Sequence, residues 1–322
     1  MRAIRFTRSG GPDVLDVVDV DAPTAGPGAV LVDVEHAGVN FIDTYHRSGL
    51  YPVPLPSGVG LEGVGTIVAV GEGVTGREVG QRVAWADTLG SYAEQVAVAA
   101  DRCYPVPDTI DGPTACALAL QGMTAHYLAF STFPLGKEHT ALVYAAAGGV
   151  GRILVQLAAQ RGARVIACTS TDAKEAAVRA LGADEVVRYR DVDIAATVRE
   201  LTGGVGVDVV YDSVGAATWE ASLDSLRPRG LAVFYGNASG PVPAFDTQEL
   251  ARRGSLFTTR PRLGDYVLTG EELAWRAGAL HGLAASGNLD VTVHATYPLA
   301  DAERAHRDLE SGTTAGKLLL EV

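Results

Sequence analysis

Residues 140–162 read TALVYAAAGGVGRILVQLAAQRG. Leu142–Ala145 is a short apolar run with no helix-start signal, which reads as a buried strand. Ala146, Gly148 and Gly151 then take the spacing of a G-x-G-x-x-G turn, with alanine in the first place. Val150, Ile153, Leu154, Leu157 and Ala158 follow at helical spacing, and Gly162 sits where a helix would stop. A second apolar run, Val165–Cys168, comes next. Strand, glycine turn, helix and strand form the context in which this motif binds a dinucleotide. Gly148 lets the backbone approach a pyrophosphate, Gly151 lets the helix pack close to the strand, and the helix N-terminus offers N–H groups and partial positive charge. A glycine-rich turn serving only the fold is the competing account; the flanking strands and helix in register favour the dinucleotide site.

The 322 residues suffice for two domains with separate cores. Hydrophobic residues make up 47% and charged residues 20%, as in an ordinary globular enzyme. No apolar run is long enough to span a bilayer, and Met1–Phe6 enters a strand-like pattern directly, without a signal peptide. The three cysteines, Cys103, Cys116 and Cys168, are scattered and odd in number, which argues against a disulfide framework and for a cytoplasmic protein. A net charge of −12 disfavours nucleic acid as a partner, because phosphate contacts need a basic surface.

Residues 1–122 read as β-rich. Val14–Val20 and Ala29–Glu35 alternate between glycine and proline clusters, and Gly65–Gly71 and Gly80–Trp85 are further strands. Such short strands suggest a small barrel or sandwich. Thr114–Leu120 and Thr124–Phe130 read as helices, and the domain boundary is expected at about residue 122. Residues 123–263 then alternate strands with helices. The strands are expected at Leu142–Ala145, Val165–Cys168, Glu185–Val187, Val207–Tyr211, Leu231–Tyr235 and Leu256–Thr259. That is the pattern of an α/β Rossmann domain, a doubly wound parallel sheet with its ligand at the carboxyl ends of the strands. Residues 264–322 hold helices at Gly270–Ser286 and Leu299–Glu310 and a closing strand, Lys317–Val322. This tail is expected to complete the first domain, and the chemistry to lie in the cleft between the two domains.

A site for NAD carries an acidic residue about 20 positions past the glycines. Here that place holds Ser170, followed by Lys174, and Arg188-Tyr189-Arg190 ends the next strand. A 2′-phosphate needs cations and donors; two charge-assisted hydrogen bonds at about 1.5–3 kcal/mol each would give roughly 10²- to 10⁴-fold preference for NADPH. Asp172 opposes that preference unless it points away, and Lys174 and Arg188 can also be read as plain surface residues. No metal is expected. The seven histidines include no His-x-x-x-His pair, the cysteines show no Cys-x-x-Cys spacing, and His36, His46 and His126 read as surface or satisfied core residues.

The turn at 145–151, Val210–Gly215, Phe234–Gly240, Ala37–Asp43 and Gly254–Pro261 together resemble the zinc-independent NADPH:quinone oxidoreductases of the medium-chain dehydrogenase/reductase superfamily, the group that includes zeta-crystallin. The resemblance runs end to end. Zinc alcohol dehydrogenases of the superfamily carry a cysteine ligand near Asn40 and Gly-His-Glu where this chain has Gly60-Leu61-Glu62, so the resemblance implies a chain without zinc. It also implies a GroES-like first domain and a homodimer pairing nucleotide domains edge to edge. By the same resemblance, Gly148, Gly149, Val150 and Gly151 hold the pyrophosphate; Ser170, Lys174 and Tyr189 the 2′-phosphate; and Asn40, Asp43 and Thr124 lie near the nicotinamide. Tyr235, Gly236 and Asn237 close over the cofactor, and Tyr45 and Tyr51 line the substrate cleft. Some relatives place an arginine against the cofactor phosphate where this chain has Gly312; Lys317 is the expected substitute.

The resulting expectation is reduction of a quinone by NADPH. Asn40, Tyr45 and Tyr51 are the candidate catalytic residues, an amide and two phenols able to stack on a flat acceptor or donate to a developing oxyanion. Packing of the cleft wall is the competing account for both tyrosines. Reduction of an enone or alkenal C=C bond and a non-catalytic NADPH-binding role are the alternatives.

Overall fold

The structure, a computed structural model, describes residues 1–189 and 192–322; Arg190, quoted above beside Tyr189, lies outside the described residues. The chain forms two compact units, Met1–Met123 with Val267–Val322, and Thr124–Tyr266.

The first unit begins with β1 (Arg2–Phe6), β2 (Asp16–Asp19) and β3 (Ala29–Val39), followed by α1 (Phe41–Ser48). Strands β4 (Ser57–Gly58), β5 (Gly63–Val70), β6 (Arg82–Trp85), β7 (Gln95–Ala99) and β8 (Cys103–Pro105) lead to α2 (Gly112–Ala117). α1, β7 and β8 carry no expectation from the sequence. The signal for α1 is Asn40-x-x-Asp43: the Asn40 side chain faces the third backbone amide of the helix while Asp43 accepts from the Asn40 backbone N–H, a capping box at the helix start. Gly49, at φ 84°, supplies the left-handed residue that ends the helix.

Met123–Tyr127 forms α3, whose residues from Thr124 onward open the second unit. The helices expected at Thr114–Leu120 and Thr124–Phe130 are shorter, because α2 and α3 each run on into a π turn, at 118–122 and 128–132. Alanine and leucine favour helix but give no sign of such a change in register.

In the second unit, β9 (Thr140–Val143), α4 (Gly149–Gln160), β10 (Arg164–Thr169), α5 (Asp172–Ala180), β11 (Glu185–Arg188) and α6 (Ile194–Leu201) precede β12 (Val207–Asp212). After it come α7 (Trp219–Asp224), β13 (Leu226–Phe234), α8 (Gln248–Arg252) and β14 (Phe257–Thr259). The six strands lie in the order β11-β10-β9-β12-β13-β14, all parallel. This is a doubly wound Rossmann sheet, and the strand order reverses at β9. β9, β10 and β12 are covered on both faces, which is why they read as continuous apolar runs instead of alternating ones. On α4, Ile153, Leu154, Val155 and Leu157 are buried, each worth about 1.5–3 kcal/mol of transfer free energy.

The chain then returns to the first unit as α9 (Gly270–Ala285), β15 (Val293–Pro298), α10 (Ala302–Glu310) and β16 (Lys317–Glu321). β16 pairs antiparallel with β3, Leu318 opposite Val39 and Leu320 opposite Ala37, so the last strand lies in the sheet of the first. Leu318 and Leu320 join Val32, Ala37, Val39, Ile67 and Trp85 in one core.

Candidate functional site

At the end of β9 the backbone turns through Ala145, an alanine held at φ 46°. Gly148 caps α4 without any side-chain hydrogen bond to the first turn. The opening N–H groups of α4 are therefore not consumed by a capping side chain, which is how a helix N-terminus receives a phosphate. A Cβ on Gly151 would stand 2.4 Å from the Ala145 carbonyl oxygen and 2.7 Å from the Ala146 Cα. Only glycine permits this approach of helix to strand.

The neighbouring strand ends lie along the same edge of the sheet. Beyond β10, Ser170 is half-buried and Thr171 caps α5, its hydroxyl accepting from the Lys174 N–H at 3.3 Å. The Tyr189 N–H donates to the Thr169 carbonyl at 3.3 Å, which brings the end of β11 beside that of β10. Ser170, Lys174 and Tyr189 thus come from two adjacent strand ends. Asp172 forms an ion pair with Arg188 across the same two segments. That pair is exposed and adds little stability, but it sets a cation against Asp172, an acid that would oppose a 2′-phosphate.

Beyond β13, the Tyr235 N–H donates to the Asp212 carbonyl at 2.8 Å. The buried Asp212 organises the facing turn: Oδ1 accepts from the N–H groups of Val214 at 2.7 Å and Gly215 at 3.0 Å, and Oδ2 from the hydroxyls of Thr218 and Ser222, each at 2.7 Å. Gly236 packs on Ser213, and Asn237 is 7% exposed. Thr124 is buried on α3.

The other candidate residues belong to the first unit. Tyr45 and Tyr51 meet edge to face with ring centroids 5.3 Å apart, Tyr51 tied back by its N–H to the Tyr45 carbonyl at 3.0 Å. At the start of α1, the Asn40 side chain enters a closed network. Its Nδ2 donates to Glu62 Oε1 at 2.6 Å and to the Gly38 carbonyl at 3.3 Å. Its Oδ1 accepts from Gln121 Nε2 at 3.0 Å and from Lys317 Nζ at 2.9 Å. Glu62 and Lys317, 0% and 1% exposed, form a buried ion pair, and Glu62 Oε2 accepts from the Leu120 N–H at 2.6 Å. Gly38 makes room for the carboxylate, since a Cβ there would lie 2.1 Å from Glu62 Oε1.

A family model for zinc-binding dehydrogenases matches residues 149–265, and one for the alcohol dehydrogenase GroES-like domain matches residues 26–108. A quinone oxidoreductase of Pseudomonas aeruginosa is 44% identical over 321 residues, 99% of both chains. The chain belongs to the quinone oxidoreductase family. The crystal structure of Escherichia coli quinone oxidoreductase complexed with NADPH superimposes with a TM-score of 0.98 at 42% identity, covering 100% of both chains. A 2-haloacrylate reductase of a Burkholderia species is 40% identical over 97% of this chain and 96% of its own. The fold is accordingly a GroES-like domain with a Rossmann domain of the medium-chain dehydrogenase/reductase type.

In this quinone oxidoreductase, two of the expected site residues have their polar atoms engaged by protein partners. The sequence makes Asn40 a candidate catalytic amide and cofactor contact; in the structure both its amide hydrogens and both its carbonyl lone pairs meet protein partners. These bonds hold the amide between Glu62, Gln121 and Lys317. The resemblance makes Lys317 a candidate phosphate cation; in the structure its ammonium is buried and bonded to Glu62, Asn40 and the Val39 carbonyl. The remaining candidates are 148–151, Ser170, Lys174, Tyr189 and 235–237 along one sheet edge, Asp43, Tyr45 and Tyr51 on or beside α1, and Thr124 on α3. Sequence reasoning missed Gln121, whose partner Asn40 lies 81 residues away along the chain, so no local spacing could show it.

Proposed function

We propose that this chain is an NADPH-dependent quinone reductase that works without zinc, as a cytoplasmic homodimer. The observation that carries the cofactor choice is the sheet edge at β10 and β11. Ser170, Lys174 and Tyr189 gather where an NAD site would place a carboxylate, and the acid nearby, Asp172, is already paired with Arg188. The residues fit the cofactor: the uncapped start of α4 suits a pyrophosphate and the Lys174 ammonium suits a 2′-phosphate. Bound NADPH would supply the hydride. The protein's own part is to fix the acceptor's orientation and keep water away, with the phenols of Tyr45 and Tyr51 as the surface for a flat ring. Zinc independence is supported by Asn40, whose amide is saturated by protein at the position where zinc relatives carry a ligand. The cytoplasmic reading is supported by three buried, unpaired cysteines.

The similarity to a 2-haloacrylate reductase favours a second reading, reduction of an activated C=C bond. The two separate in kcat/KM with NADPH. Quinones should exceed an enone and 2-chloroacrylate by at least about tenfold, a barrier difference of roughly 1.4 kcal/mol. The reverse order would transfer the chain to the alkene reductases.

A further inference from the structure

The carboxyl edge of the parallel sheet carries one more cation than the three residues proposed for the 2′-phosphate. Arg188 is the last residue of β11, and the strand register sets it beside Thr169, the last residue of β10. Ser170 follows Thr169 and Tyr189 follows Arg188, so the guanidinium starts from the same two strand ends as the proposed pocket. Val187, just before it, points into the core at 2% exposure. By strand alternation Arg188 points to the other face, where its side chain is 45% exposed. Its ion-pair partner, Asp172, opens α5 with its side chain 85% exposed. Both groups are therefore open to a ligand arriving from solvent.

The first turn of α5 holds two acids, Asp172 and Glu175, and both suit the positive end of the helix dipole. Glu175 turns along the helix to Arg179, at 2.9 Å, whereas Asp172 reaches across to Arg188 on the next strand. The Asp172–Arg188 pair thus bridges the segment that carries Ser170 and Lys174 and the one that carries Tyr189. Pairs as exposed as this one contribute little, because water solvates the separated ions almost as well. A phosphate offers the guanidinium more than a carboxylate does. It carries up to two negative charges and enough oxygens to match the planar fork bidentately. Asp172, once released, keeps solvent and the helix dipole. Exchanging Asp172 for a phosphate therefore costs the protein little, and a cofactor without a 2′-phosphate has nothing to exchange.

We propose that Asp172 stands in for the 2′-phosphate: it holds Arg188 at the strand end until NADPH arrives, and the phosphate then takes the guanidinium over as a specificity-determining cation beside Lys174. This rests on the NADPH reading of the site. It also gives the one awkward acid of this stretch a use. A carboxylate at this edge would serve NAD by accepting from the ribose hydroxyls, but that of Asp172 is engaged by Arg188 instead. The ion pair is thus set for one cofactor: NADPH replaces the carboxylate with a better anion, and NADH leaves the pair as it is.

The test measures binding and needs no turnover. The probes are 2′,5′-ADP, which carries the 2′-phosphate, and 5′-AMP, which lacks it. Each is titrated by calorimetry into the unaltered protein, Arg188→Gln, Asp172→Asn, the double variant and Lys174→Ala. Arg188 and Asp172 are exposed, so their variants should melt within about 2 °C of the unaltered protein. Arg188→Gln should weaken 2′,5′-ADP by about tenfold or more and leave 5′-AMP unchanged. Asp172→Asn should tighten 2′,5′-ADP by roughly two- to fivefold, the worth of one exposed pair released. In the Arg188→Gln background that gain should be at least halved, since no cation is left to release. Equal gains in the two backgrounds would mean that Asp172 only repels the phosphate, which overturns the exchange. If Lys174→Ala weakens 2′,5′-ADP and Arg188→Gln does not, the NADPH reading stands and the exchange alone falls. Equal binding of the two probes by the unaltered protein would end the NADPH reading and the exchange with it.

Discussion

Lys317 and Glu62 share a volume closed to water, so neither can be removed without leaving a buried charge behind. Lys317→Met should destabilise the chain by about 3–5 kcal/mol in urea denaturation, whereas Lys317→Met combined with Glu62→Gln should regain at least half of that loss. Equal losses in the single and double variants would mean that the ion pair is not what the site depends on. The same pair shows why the residue scale was only partly legible. Ser170 and Lys174 follow the glycine turn at fixed spacing, so a phosphate pocket could be proposed there from the sequence. The charge of Lys317 was equally visible, but its burial was not. Its pairing with Glu62 spans 255 residues and exists only once β16 has joined β3.

At the scale of elements, β14 ends the parallel sheet, paired on one side with β13. It carries Phe257 at 61% exposure. An edge strand with an outward aromatic is a template for pairing with another strand, and a second copy of the chain meeting it edge to edge satisfies both features. Phe257→Asp should convert the proposed dimer to a monomer in sedimentation velocity while leaving the melting curve of the separated chain cooperative. A dimer that persists unchanged would place the contact elsewhere. The strands and helices of the second unit were legible because buried parallel strands are continuous apolar runs and their helices keep helical spacing. The first unit was less so. α1 hides in a segment whose clearest mark is its capping pair, Asn40 and Asp43, and β7 and β8 are short strands of five and three residues. The π turns after α2 and α3 depend on tertiary partners such as Glu62, which takes the Leu120 N–H.

For the molecule as a whole, the net charge of −12 repels an anionic cofactor at long range, so affinity for NADPH must come from local donors. In the cofactor site proposed above, the start of α4 and the Ser170, Lys174 and Tyr189 edge would supply them, and the sheet order places both at the carboxyl ends of the strands. Full-length similarity to quinone oxidoreductases makes the acceptor class the natural one to test with that cofactor. The measurement that bears most directly on this account is the initial rate of NADPH oxidation by a simple para-quinone. It should be run beside NADH, with and without a strong chelator. The account predicts turnover that the chelator leaves unchanged and a kcat/KM at least about 10²-fold higher for NADPH, the lower end of what two charge-assisted bonds provide. Equal use of NADH, or loss of activity on chelation, would contradict it.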